Sequence, residues 1–299
     1  MRGKILGFLR DFLFLCGSIC RPVTMQNTPE KMKPPFSLIT RADDFGASPG
    51  TNEAILACLD AGFIRNVGVM VPAPFLGHRL EELLGRQDSC CVGLHGTLTS
   101  EWAGLRWGPV LPGENVPSLL DADGNFFAST QSLHERALLP EMMAEIRAQL
   151  DLARRLGLFP RYLDLHMVFT WIPGVAEALA ALCDEEGLVF ANGPQFVGFG
   201  LAGESFFEPG AAARALEQTR LAHAGKHHVS FFHPAKRDAA SEMFFPDRSR
   251  PSTAVAEARH REFELLSDAA RMPSFLRDAG ILPATYSAAT PSREGEAAG

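Results

Sequence analysis

The sequence lacks the features that mark several classes of protein. No cluster of lysine and arginine stands out among its 299 residues, and its formal net charge is -7. This argues against a nucleic-acid-binding protein, which would show a basic face. None of its six cysteines forms a C-x-x-C pair, which excludes zinc-ribbon and dithiol redox sites. Free thiols in a reducing compartment are expected, so we predict a cytoplasmic protein.

A long uninterrupted apolar run is also missing. The stretch Ile5–Cys20 is interrupted by Arg10 and Asp11, which leaves it too broken for a signal peptide and too short to span a bilayer. We predict no stable membrane insertion. Residues 1–35 are interpreted as an N-terminal extension, either disordered or used in targeting. Residues 288–299 are small and polar, which predicts a disordered tail.

The remaining residues, 36–287, are predicted to form a single α/β domain. Hydrophobic residues make up 46% of the chain and charged residues 21%, which is typical of an ordinary globular protein. Apolar strand-like segments alternate with helical ones, which favours a parallel sheet covered by helices. No Gly-rich phosphate loop follows the first strand, which argues against an open doubly wound sheet. We predict an incomplete (β/α) barrel of six or seven strands: 37–40, 67–71, 91–95, 162–166, 188–191, 228–232 and a closing strand at 285–286.

Asp43 and Asp44 occupy the centre of this pattern. They follow the first predicted strand and precede a helix, for which Ser48 is the expected N-cap and Pro49 the first residue. Two carboxylates in one cavity repel each other unless a cation or a proton separates their roles. One would then bind a metal while the other stays free as a base. The alternative is that Asp43 caps the loop and Asp44 is solvated.

Further carboxylates and imidazoles fall at the ends of other predicted strands. In (β/α) barrels the carboxyl ends of the strands form the rim that carries the active site. One carboxylate and two imidazoles are the ligands of an open divalent site, suited to zinc, iron or manganese, whereas magnesium normally requires more oxygen ligands. A single histidine on an apolar strand is more often a core residue. The residues at these strand ends are Asp43, Asp44, His95, Asp164, His166 and His233.

Four motifs carry a resemblance to a known family. They are T-R-A-D-D-F-G at 40–46, V-G-L-H-G-T-L-T at 92–99, L-D-L-H at 163–166 and F-H-P at 232–234. In order and spacing they resemble the signature blocks of the YdjC-like carbohydrate deacetylases, of the chitooligosaccharide and hopanoid-associated types. The resemblance implies a barrel of the glycoside hydrolase/deacetylase type that removes an N-acetyl group from an amino sugar. It also implies a divalent metal held by Asp44, His95 and His166, with Asp43 as the base.

The third motif departs from the family pattern. Family members commonly continue as D-S-H-x-H-x-H, whereas here His166 is followed by Met167, Val168 and Phe169. The three residues that the resemblance assigns to the metal do not include the later histidines. The replacement predicts a more apolar substrate pocket of different shape.

Other residues receive roles in the predicted hydrolysis. His233 is the candidate acid for the leaving amine, or else it orients Asp43 or Asp164. Asp164 either binds substrate or orients a ligand histidine. Trp171, with Trp102, Trp107 and Phe169, could stack on a sugar face; alternatively, these aromatic residues pack on the barrel rim.

The sequence leaves several alternatives open. Magnesium and zinc are the metals we favour, without a choice between them, and the N-acetylated sugar is either soluble or lipid-linked. Whether the protein forms a homodimer is also left open. A catalytically silent sugar-binding barrel is the main alternative function, because the third motif is altered. A glycosidase that uses Asp43 and Asp164 as its acid pair is another.

Overall fold

The computed structural model describes residues 35–199, 211–245 and 251–289. The predicted extension 1–35 and tail 288–299 therefore lie almost wholly outside the described residues. Among the residues that are described, no helix has both the length and the apolar character needed to cross a membrane.

A single parallel sheet forms the centre of the described domain, and it curves into an open half-barrel. Its strand order is β5-β4-β3-β2-β1-β7-β6, and β8 pairs with the start of β1. The predicted fold class is confirmed. The strands are β1 Phe36–Phe45, β2 Asn66–Val69, β3 Cys91–Gly96, β4 Tyr162–Leu165, β5 Val189–Phe190, β6 Phe196–Gly198, β7 His227–Phe232 and β8 Ile281–Ala284.

Helices follow most of the strands and cover the sheet with their apolar faces. The longest of those described has buried Met142, Ile146 and Leu150 at helical spacing, so one stripe faces the sheet. The helices are α1 Pro49–Asp60, α2 Leu80–Leu84, α3 Thr130–Arg136, α4 Leu139–Arg155, α5 Val175–Glu186, α6 Ala211–Ala222, α7 Ala254–Leu266 and α8 Met272–Ala279.

The connection from β1 to α1 forms as the sequence predicts. Ser48 has an extended backbone, and its side chain accepts a hydrogen bond from the backbone N–H of Thr51, while Pro49 is the first helical residue. A capping side chain satisfies a backbone donor that the first turn of a helix leaves free. The cap therefore starts α1 immediately after the two aspartates.

Two strand predictions were wrong. The predicted strands do not include β6, which lies between β5 and β7 in the chain and pairs with β7. This strand has only three residues, too few for a periodic pattern to reveal it. Thr285 and Tyr286 do not form the closing strand: β8 ends at Ala284, and Tyr286 begins a 3₁₀ helix.

Residues 100–137 form an insertion between β3 and α4 and pack against α4. It contains two short 3₁₀ helices and α3. Glu145 of α4 accepts hydrogen bonds from the backbone N–H groups of Val110 and Leu111. A buried carboxylate thus satisfies loop donors that would otherwise be unpaired, and this fixes the insertion on the domain.

Candidate metal centre

Asp43 and Asp44 both reach one cavity because β1 is irregular at its end. Neighbouring side chains of a regular strand point to opposite faces. Asp44 has a φ of 72°, in the left-handed region that residues other than glycine rarely adopt. The pairing with β2 shifts register between Ala42 and Phe45. The backbone turn at Asp44 therefore allows both carboxylates to line the same wall, and strain of this kind clusters at functional sites.

The predicted ligand residues converge on Asp44. Its Oδ1 atom lies 3.4 Å from Nε2 of His95 and 3.2 Å from Nδ1 of His166. The three ligand atoms lie within 4.8 Å of one another, and all three residues are buried. Oδ1 accepts no hydrogen bond from any described residue. A buried oxygen without a donor, facing two ring nitrogens, fits a divalent metal ion between them.

The second nitrogen of each ring is held by a different carboxylate. Nδ1 of His95 lies 2.7 Å from Asp164, and Nε2 of His166 lies 2.9 Å from Glu101. Metal-binding histidines usually donate their other N–H to a carboxylate, which orients the ring and makes it a better ligand. Both rings have that arrangement.

The charges around the site lower the pKa of Asp44 and raise the pKa values of His95 and His166. Burial alone would raise the pKa of Asp44, but the positive charge of Arg259 and the two nearby rings hold it well below its usual range. Burial alone would lower the pKa of both histidines. Instead, Asp164 and Asp43 raise the pKa of His95 to about 10, and Glu101 and Asp44 raise that of His166 to about 9. Without a metal, the rings of His95 and His166 therefore favour their protonated forms, and a bound cation would replace these protons.

Arg41 connects Asp43, the candidate base, to Asp164 beside the proposed metal ligands. Its Nε and Nη2 atoms donate to the two oxygens of Asp43 at 2.6 and 2.8 Å. Nη2 also lies 2.9 Å from Asp164, and Nη1 donates to the hydroxyl of Tyr286 at 3.0 Å. A planar guanidinium group fixes carboxylates in both distance and direction. Arg41 thereby links Asp43 to the carboxylate that orients His95.

Arg259 of α7 holds the other oxygen of Asp44. Its Nη1 lies 2.8 Å from Oδ2. The guanidinium group lies over the rings of Phe244 and Trp102, at 4.9 and 5.7 Å from their centres. The ion pair occupies Oδ2 and leaves Oδ1 directed at the histidines.

A cavity of about 520 Å³ opens above these groups, which is large enough for a small ligand. Asp43, Asp44, His95, His166 and His233 all line it. The structure therefore places five of the seven sequence-predicted site residues on one surface.

The other two lie elsewhere. The carboxylate of Asp164 is fully buried between His95 and Arg41 and does not line the cavity. This is the arrangement expected for orienting a ligand histidine; its predicted contact with substrate stays a prediction. Trp171 is 49% exposed and packs edge-on against His134. It is absent from the cavity lining, and its role in sugar stacking also stays a prediction.

Sequence reasoning missed four residues of the site: Arg41, Glu101, Arg259 and Tyr286. Arg41 could have been found, because it lies two positions before Asp43 and side chains at that spacing share a face of a strand. Glu101 closely follows the second motif. Nothing in the local sequence marks Arg259 or Tyr286 as a site residue, because only the fold brings the C-terminal part of the chain to β1.

Several curated proteins similar to this chain are named carbohydrate deacetylases. A human carbohydrate deacetylase is 31% identical over 198 residues, which cover 64% of this chain and 58% of the human protein. One from Thermus thermophilus is 34% identical over 154 residues, which cover 51% and 52% of the two chains. This chain spans about half the length of the curated relatives it matches.

A solved structure supports the fold. It is a protein from Enterococcus faecalis V583, provisionally described as a cellobiose-phosphate cleavage protein, with a TM-score of 0.67 and 22% identity. The match covers 85% of this chain and 99% of that protein. At this level of identity the likeness concerns the fold alone.

A family model described as YdjC-like protein matches residues 37–277. The match begins inside β1, ends inside α8 and contains all four motifs as well as Arg41, Glu101 and Arg259. It therefore includes the complete cluster around Asp44. This chain belongs to the YdjC-like family.

Proposed function

We propose that this protein is a metal-dependent hydrolase that removes an N-acetyl group from an amino sugar, an oligosaccharide or a glycolipid. The observation that carries the proposal is the unpaired Oδ1 of Asp44 between His95 and His166, with Asp43 and His233 on the same cavity wall. The names of the relatives support the substrate class.

Asp44, His95 and His166 would hold the metal. When bound, it supplies Lewis acidity, which makes a coordinated water more acidic and polarises a carbonyl group. Two nitrogens and one oxygen suit zinc, and additional oxygen ligands would suit magnesium. Zinc is therefore the metal to test first.

Asp43 would act as the general base. It lines the cavity, and the hydrogen bonds from Arg41 fix the direction of its carboxylate. A carboxylate oxygen has two lone pairs, so an oxygen that accepts from Arg41 can still accept from a water molecule. Asp43 would take the proton of the water that attacks the acetyl carbonyl.

His233 would deliver a proton to the leaving amine. Burial lowers the pKa of its ring, with Arg259 adding to the effect and Asp44 opposing it. The ring is therefore neutral at neutral pH and has to gain a proton before it can give one away. The proton that Asp43 takes from water would pass to His233 and then to the amine nitrogen as the C–N bond breaks. The products would be a neutral amine and acetic acid, which releases its own proton to become acetate.

The structure weakens the glycosidase alternative. That reaction needs two carboxyl groups facing one glycosidic bond, whereas Asp164 is buried beneath the cavity wall and bound by Arg41 and His95. The other carboxylates among the described residues that line the cavity are Asp44 and Glu101, which contact Arg259 and His166 respectively.

An acetate-release assay over N-acetylated sugars and glycolipids tests the proposal. We expect release in the presence of zinc and none after chelation. Asp43→Asn should lower kcat by about 10²- to 10⁴-fold, the usual contribution of a general base, while zinc binding persists. Asp151→Asn, on the exposed face of α4, is the matched control and should leave the rate unchanged. Sugar binding without acetate release would instead support the silent sugar-binding barrel.

A further inference from the structure

Glu101 contacts a proposed metal ligand from the loop that follows β3. Its two carboxylate oxygens lie 3.0 and 2.9 Å from Nε2 of His166. The side chain is 10% exposed and forms part of the cavity wall. The proposed hydrolysis gives Glu101 no step, so its contact with His166 requires a separate explanation.

The contact with Glu101 determines which nitrogen of the His166 ring keeps its lone pair. A neutral imidazole has one N–H and one lone pair. If Nε2 of His166 donates to Glu101, the lone pair is on Nδ1, which faces Oδ1 of Asp44 at 3.2 Å. His95 has the opposite arrangement, since its Nδ1 contacts Asp164 and its Nε2 faces Asp44. The two rings thus offer different nitrogens to the same point.

The loop that carries Glu101 is itself fixed. The indole of Trp102 stacks on Phe244 at 5.5 Å, and the backbone N–H of Ala103 donates to Phe245 at 2.8 Å. A carboxylate on an anchored backbone can hold a ring in one orientation. Glu101 lies at the start of the insertion at 100–137, so the insertion contacts the candidate metal centre through this residue.

We propose that Glu101 is a positioning residue that fixes His166 in the tautomer with a free Nδ1, directed at the metal. This inference rests on the metal site of the proposed function. It assigns the two ligand histidines opposite tautomers, each set by its own carboxylate: Asp164 for His95 and Glu101 for His166.

Zinc titration of the metal-free full chain tests the role of Glu101. Glu101→Ala should weaken zinc binding by about 10- to 100-fold, the usual effect of removing a carboxylate behind a ligand histidine. Glu101→Gln should retain most of the affinity, because its amide oxygen still accepts the Nε2–H. Glu141→Gln is the matched control: Glu141 accepts hydrogen bonds from Ser118, away from the cavity, and its loss should leave zinc affinity unchanged.

Nitrogen-15 NMR of the zinc-loaded wild type tests the tautomers directly and does not depend on how a variant folds. We expect a protonated Nε2 for His166 and a protonated Nδ1 for His95, with signals assigned from His166→Gln. A protonated Nδ1 on His166, or wild-type zinc affinity in Glu101→Ala, would overturn the inference. Zinc binding with these tautomers but without acetate release would overturn the proposed function alone.

Discussion

At the scale of single residues, the site depends on which atoms are already engaged. Oδ2 of Asp44 is paired with Arg259, which leaves Oδ1 for the histidines. Asp43 is adjacent in sequence but is held by Arg41 instead. Two neighbouring carboxylates thereby acquire different surroundings, and different surroundings are what give paired carboxylates separate chemical roles.

Zinc affinity should fall steeply as the pH is lowered. In the metal-free protein the pKa of His95 is about 10 and that of His166 about 9, so at neutral pH zinc has to displace a proton from each ring. Apparent affinity should drop by up to about 100-fold per pH unit between pH 8 and 6. Calorimetry in buffers of different ionisation enthalpy should detect proton release; pH-independent binding without release would contradict this.

At the scale of elements, a glycine in β2 leaves space for side chains of the neighbouring strands β1 and β3. Gly68 lies between β1 and β3, where an added Cβ would be 2.8 Å from Oδ1 of Asp43 and 3.3 Å from Nδ1 of His95. A side chain at this position of β2 would displace both Asp43, the base candidate, and His95, a proposed metal ligand. The close approach of these side chains therefore requires glycine.

Gly68→Ala should lower both the stability of the domain and its zinc affinity. The added methyl group overpacks the site, a change that typically costs about 1–3 kcal/mol of unfolding free energy. Gly77→Ala is the control, since nothing lies within 4 Å of an added Cβ there. Denaturant unfolding and zinc titration measure the two effects, and a Gly68→Ala variant equal to wild type in both would refute the steric argument.

Ser48→Ala should destabilise the domain through α1. Loss of the N-cap leaves the N–H of Thr51 without its side-chain acceptor, at a cost of about 1 kcal/mol. Ser89→Ala, whose exposed hydroxyl donates only to Arg86, should change the unfolding free energy by less than about 0.5 kcal/mol. Equal urea midpoints for both variants would argue against the cap.

At the scale of the whole domain, the parallel sheet collects the site from distant parts of the chain. His95 follows Asp44 by 51 positions, His166 by 122 and Arg259 by 215. The carboxyl ends of adjacent β1, β2, β3 and β4 share one edge, so residues at those ends meet. A ligand that bridges them should bind only the folded chain.

Zinc should therefore stabilise the folded domain. At a free concentration 100 times the Kd, the gain is about 2.7 kcal/mol, which thermal unfolding with increasing zinc would reveal as a rising midpoint. Asp44→Asn should remove this increase by removing a ligand charge, whereas Asp278→Asn, on the exposed end of α8, should retain it. The same zinc-induced increase in Asp44→Asn would rule out Asp44 as a ligand.

The regular parts of the fold could be predicted from local patterns. The buried strands β2 and β3 coincide with short apolar runs at 67–71 and 91–94, and α4 has a clear helical repeat. The short β6 could not be predicted, because three residues carry too little periodicity. The proposed metal ligands His95 and His166 could be selected from sequence motifs. Arg259 and Tyr286 could not, since they approach the site from sequence-distant elements.

The sequence by itself determined the alternation of strands and helices, the cap of α1 and the placement of Asp43, Asp44, His95 and His166 at strand ends. These depend on local periodicity and on short motifs. Only the tertiary structure decided which atoms stay free: Oδ1 of Asp44, rather than Oδ2, faces the rings because Arg259 holds the other oxygen. Such a choice depends on contacts between distant parts of the chain, which no local pattern contains.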